Sequence, residues 1–186
     1  MTMTQIPGTT SGSAEPTIAP KQVYRVNINA PIQEVWDALT KQGEPLPFFF
    51  GSVLHTTGLR PGAPIRMRTP NNKYTGVVGD VLEFDPPHKF SHTFQFTHLD
   101  DPPSTVIYEL KEVPGGTEFT LTTENVPQGT KSEKQMAQGG PLIVKTLKSV
   151  VETGKPHLGA KVILAMIKLF SFTTPKRCRT ENWPMT

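Results

Sequence analysis

The run GGPLIVKTLKSVVETG at residues 139–154 constrains the fold more than any other stretch of this 186-residue chain. A glycine pair breaks what precedes it, and Pro141 suits a first helical turn, where its missing N–H is no loss. Ile143, Leu147, Val150 and Val151 then fall on one helical face. Between residues 23 and 125 most periodic segments alternate as strands do. A long one-faced helix after such a run needs a sheet to lie on, and the sheet needs the helix to cover its apolar face.

Short turns separate the strands, so the sheet is an antiparallel meander. Tyr24, Val26 and Ile28 alternate with polar residues in the first strand. Pro31 then opens a helix carrying Ile32, Val35, Trp36 and Leu39 on one face. PLPFFFG at 45–51 is apolar and bounded by breakers; it reads as a short helix or a lid-like turn. Strands are expected at 53–57, 64–69, 74–84, 89–97, 104–112 and 117–124. Turns fall at Asn71-Asn72, at the DPP of 85–87 and at Gly115-Gly116. Gly76 and Gly79 read as bulges or curvature points. Residues 127–138 are polar, either a loop or a solvated first helix.

Four regions are expected. Residues 1–21, rich in Thr, Ser, Gly and Pro, form a flexible tail, and 22–156 form one α+β domain. Residues 157–174 hold an additional apolar helix, AKVILAMIKLFSF at 160–172, and 175–186 are a mobile C-terminal tail. Lys161, Lys168 and Ser171 gather on one side of the apolar helix and leave a wide greasy face. That face reads as packed on the domain, as a site of self-association, or as a peripheral membrane contact helped by Lys176, Arg177 and Arg179.

A net charge of +3 from scattered Lys and Arg gives no basic stripe, so no nucleic-acid partner is expected. Cys178 is the single cysteine and excludes an internal disulfide. With no secretory signal and no apolar run of the ~20 residues a membrane span requires, a cytoplasmic location is expected.

Strand, helix, long meander and C-terminal helix is the order of a helix-grip fold, a curved antiparallel sheet wrapped around its last helix. Four blocks carry a closer resemblance: NAPIQEVWDALT at 29–40, GDVLEFDPPHKFSHTF at 79–94, PSTVIYELKEVPGGTEFTLTTENV at 103–126, and the Gly-Gly start with LKSVVETGKP at 147–156. Together they resemble the family of activators of the heat-shock-chaperone ATPase, within the START-like (SRPBCC) superfamily. The resemblance implies a cavity between sheet and last helix that binds small apolar molecules, acts on them, or is incidental to assisting a chaperone. It supplies no shared catalytic residue. This chain departs from the family where Pro141 stands in place of a common tryptophan.

Candidate ligand-binding residues are Trp36, Phe48, Phe50, Met67, His92, Phe94, Tyr108, Ile143 and Leu147. Each can also be plain core. His92 and Tyr108 are the candidate catalytic pair, since each sets a polar tip at an apolar-face position, where burial demands a partner. The five histidines show no metal-ligand spacing, and neither a metal nor a cofactor is expected. Asp80, Glu83 and Asp85 do not converge, and Cys178, although flanked by KR and R, lacks a fixed base. The residues leave three functions open. The first is binding of a small apolar or aromatic ligand. The second is a cyclase, isomerase or hydratase acting on an apolar or polyketide-like substrate in the same cavity. The third is a co-chaperone-like interaction module.

Overall fold

Period-two alternation and proline-bounded turns turn the middle of the chain into one sheet. The computed structural model describes residues 17–169 and 173–185. Among these, eight strands form a curved antiparallel sheet: β1 (Gln22–Ile28), β2 (Pro45–Leu46), β3 (Ser52–Thr56), β4 (Pro64–Arg68), β5 (Thr75–Asp85), β6 (Lys89–Phe96), β7 (Ser104–Val113) and β8 (Gly116–Glu124). Their order is β1-β8-β7-β6-β5-β4-β3-β2, so the first and eighth strands pair directly, with Tyr24 opposite Leu121. The helices are α1 (Ile32–Thr40), α2 (Lys131–Thr153) and α3 (Leu158–Leu169). The α2 helix lies across the concave face, which gives the expected helix-grip architecture. PLPFFFG becomes the two-residue β2 and a tight turn at Pro47–Phe49.

The start of α2 differs from the expectation. It begins not at Pro141 but ten residues earlier, after Thr130, whose hydroxyl accepts the Glu133 N–H at 3.1 Å. The Glu133 carboxylate reaches back to the Gly129 N–H at 2.6 Å. Gly139, Gly140 and Pro141 therefore lie inside the helix. Pro141 has no N–H to give the carbonyl four residues before it. That carbonyl, of Ala137, is met by the Tyr24 hydroxyl at 3.3 Å. Gly140 makes room for the same tyrosine, because a Cβ there would fall 2.1 Å from the ring. Gly154 ends the helix in the left-handed conformation, φ 70°, donating to the Val150 carbonyl at 2.8 Å.

Both chain ends are engaged further than the sequence suggests. Of the N-terminal region, residues 1–16 lie outside the described residues. Ile18 pairs with Pro127, and the buried Ala19 donates to the Val126 carbonyl at 2.8 Å. Residues 175–185, read as a mobile tail, cross the outer face of the sheet instead. Arg179 bridges to Tyr74, Arg68 donates to the Trp183 carbonyl at 3.0 Å, and Arg66 donates to the Pro184 carbonyl at 3.1 Å. Cys178 is buried, which removes the access a reactive thiol needs.

Only part of the apolar run 160–172 can be placed, since 170–172 lie outside the described residues. Ala160 of α3 is buried, and Ile163 and Leu164 border a small gap against Phe48 and Leu142. Leu158, Val162, Met166 and Leu169 face outward and are exposed. No helix among the described residues is long and apolar enough to cross a membrane.

Candidate functional site

Along β6 the inward side chains are Phe90, His92, Phe94 and Phe96, because alternate residues share a face. The ladder fixes what stands beside them. His92 is opposite Val106 of β7, which is opposite Thr123 of β8; one row along, Phe90, Tyr108 and Leu121 align in the same way. Met136, Gly140 and Ile143 of α2 close the space from above, and Phe49 and Phe50 close one end. The result is a cavity of about 120 Å³, partly open at its mouth. Gly139 and Gly140 of the covering helix border it; the Tyr24 ring takes the place of a side chain at Gly140, and the Phe50 ring lies 3.7 Å from where a Cβ of Gly139 would stand.

The walls are overwhelmingly apolar, and the polar groups are few. Ser52, His92, Tyr108, Thr123 and Gln135 border the cavity, and no charged side chain among the described residues does. His92 Nδ1 lies 2.7 Å from the Thr93 carbonyl oxygen, which can only accept, so Nδ1 carries the proton. Nε2 is then an acceptor, and the Tyr108 hydroxyl donates to it across 3.3 Å. Burial lowers the His92 pKa to about 4, against a smaller opposing effect from the Thr93 bond. Burial also pushes the Tyr108 phenol well above its ordinary value. The pair is thus neutral near pH 7. Both ring nitrogens of His92 are engaged, and the Tyr108 oxygen keeps free lone pairs. Thr123 Oγ1, fully enclosed, has no hydrogen-bond partner among the described residues.

Of the nine candidate residues, the structure brings six to the cavity: Phe50, Met67, His92, Phe94, Tyr108 and Ile143. Trp36 sits on α1 with its ring 5.3 Å from that of Phe84, and Leu147 is wholly buried in the core. Phe48 points away, packing edge-on to Phe49 and bordering the gap under α3. Thr123 was missed by sequence reasoning. Its signal is the one that found His92 and Tyr108, a polar side chain on an apolar face, two residues beyond Leu121. Gln135 and Met136 were missed because the helix was started too late. No group of three or more potential metal ligands occurs among the described residues.

As a chemical environment, the cavity is a small, mostly apolar space with few polar groups in its walls. It presents no base with a free lone pair on His92, no carboxylate and no cation.

Comparison with known proteins gives a consistent picture. The family described as Activator of Hsp90 ATPase homolog 1-like protein matches residues 29–152. A search of curated proteins found no match. Among solved structures, CalU16 from Micromonospora echinospora is similar at 21% identity, covering 82% of this chain and 91% of its own, with a TM-score of 0.57. The Aha1 dimer from Colwellia psychrerythraea is similar at 18% identity, covering 74% and 99%, with a TM-score of 0.60. DynU16, a protein of the dynemicin biosynthetic locus, is 25% identical over 73% of this chain and 48% of its own, with a TM-score of 0.57.

Proposed function

The chain belongs to the Activator of Hsp90 ATPase homolog 1-like family, and we propose that it works as a non-enzymatic binder of a small apolar or aromatic molecule held between the sheet and α2. The observation that carries this reading is the aromatic-walled cavity of about 120 Å³ under the two glycines of α2. Its size is near that of the ~150 Å³ apolar cavity that admits benzene in another protein, and below the ~300 Å³ at which drug-sized ligand sites begin. A single ring fits better than a polyketide. Titration with toluene followed by amide chemical shifts tests the reading. Saturable shifts at Tyr108, Met136 and Ile143 are expected, and their absence up to the solubility limit of toluene overturns it.

The enzyme reading draws less support. A general base needs a lone pair within reach of the substrate proton and a pKa near the working pH, and His92 has neither. The co-chaperone reading rests on the family name alone. It predicts retention by an immobilised chaperone of the Hsp90 class, and no retention would remove it.

Self-association through α3 is a second reading, favoured by its exposed Leu158, Val162, Met166 and Leu169. A solved relative is described as a dimer. Sedimentation equilibrium of the wild type and of Met166→Glu decides it. A dimer that the substitution dissociates is expected, and a wild type that stays monomeric at high concentration counts against it.

A further inference from the structure

Five of the nine large apolar side chains exposed among the described residues belong to one helix, α3: Leu158, Val162, Met166, Ile167 and Leu169. Leu158, Val162, Met166 and Leu169 follow one another at spacings of four, four and three, so they form one stripe along the helix. The opposite side carries the buried Ala160 with Ile163 and Leu164, which face Phe48 and Leu142 across the small gap. The helix is therefore apolar on two sides, and only one of them meets the domain.

Two observations say what covers the stripe. The first is charge. Between Glu152 and Glu181 the sequence holds six lysines and arginines and no acidic residue. Arg177 and Arg179 are paired with Asp100 and Glu181. Lys155, just before α3, and Lys161 on it are exposed and join no ion pair among the described residues. The second is area. Twelve residues make a helix roughly 18 Å long and 10 Å wide. Two such faces bury only roughly a few hundred Å², against the ~1,200 Å² at which stable interfaces begin. A second copy meeting α3 alone is thus held weakly. A bilayer sets no such minimum, and an anionic one supplies the countercharge.

We propose that α3 rests on an anionic lipid surface. Leu158, Val162, Met166 and Leu169 turn into the boundary of the acyl chains, and Lys155 and Lys161 meet the headgroup phosphates. The helix lies on the bilayer without crossing it, because its twelve residues fall well short of the ~30 Å hydrocarbon core. Pairing of two α3 helices in water is then the weak form that the membrane replaces.

Co-sedimentation of the full chain with vesicles tests this, at dilutions where sedimentation velocity finds a monomer. Binding to mixed phosphatidylcholine and phosphatidylglycerol vesicles should be about tenfold tighter than to phosphatidylcholine alone, and it should weaken as salt rises. Val162→Glu, at an exposed position, should weaken binding to the mixed vesicles about tenfold. The double variant Lys155→Glu, Lys161→Glu should remove the preference for the anionic lipid and leave any self-association undiminished, which separates a lipid surface from a second copy. Urea unfolding checks that both variants keep the wild-type stability. No binding to the mixed vesicles, equal binding to both kinds, or wild-type binding by Val162→Glu overturns the proposal. So does a chain that stays off vesicles and forms a dimer that Val162→Glu dissociates; the stripe then belongs to a second copy.

Discussion

The Tyr24 hydroxyl stands 3.3 Å from the Ala137 carbonyl, the acceptor in α2 that Pro141 cannot serve, and divides its one proton between that oxygen and Gln22 Oε1 at 2.8 Å. A residue of the first strand thereby repairs a helix more than a hundred positions away. Tyr24→Phe keeps the ring and removes the donor, so the carbonyl is left unsatisfied. A loss of about 1–2 kcal/mol in urea unfolding is expected. An unchanged midpoint would mean that solvent takes over the carbonyl.

The two glycines of α2 answer differently to the same substitution. At Gly140 a new Cβ falls 2.1 Å from the Tyr24 ring, whereas at Gly139 the nearest neighbour is the tip of Phe50 at 3.7 Å. Alanine is the better helix former by about 1 kcal/mol. Gly139→Ala should therefore stabilise by roughly 0.5–1 kcal/mol. Gly140→Ala should destabilise by about 1–3 kcal/mol despite the propensity gain, because the packed ring must move. Equal effects at the two sites would contradict the packing described.

His92 gives stability a pH dependence with a definite sign. Its value in the folded protein is about 4, lowered from 6.5 by burial among Phe90, Phe94 and Tyr108. Between those pH values the unfolded chain takes up a proton and the folded chain does not. The contribution is therefore complete above pH 6.5 and is lost as pH falls to about 4, amounting to ~3 kcal/mol. The difference between wild type and His92→Leu, measured by urea unfolding from pH 7 to pH 4, should slope across that window. A flat difference would show that His92 protonates without cost.

Arg68 is buried, its Nε has no partner among the described residues, and its bonds go to Asn72 and to the Trp183 carbonyl. Arg68→Met keeps the packing length and removes an enclosed cation. Global stability should change by less than about 1 kcal/mol, since relief of desolvation offsets the lost bonds. Amide exchange should quicken at residues 180–185. A loss of several kcal/mol would point to a countercharge on the guanidinium.

The strands were legible because alternation has period two and because proline and glycine mark their ends; each of the six expected from 53 onward lies within two residues of its observed span. The start of α2 was misread for an equally physical reason. Gly-Gly-Pro reads as a boundary unless a distant tyrosine is known to accommodate it, and no local pattern reveals Tyr24 in that role. The true signal, Thr130 followed three residues later by Glu133, was present in the polar stretch read as loop or helix. At the site, His92 and Tyr108 were legible as polar tips on apolar faces, and Thr123 followed the same rule. Trp36, Phe48 and Leu147 were not separable from the cavity walls. Core and cavity share a composition and differ only in where atoms are missing.

Phe50 is held in the left-handed backbone conformation, φ 56°, between the Pro47–Phe49 turn and Gly51. Phe50 borders both the cavity between sheet and α2 and the gap beneath α3. It is a party wall between two rooms. The packing of that one ring therefore shapes the space under α2 and the seat of α3 together.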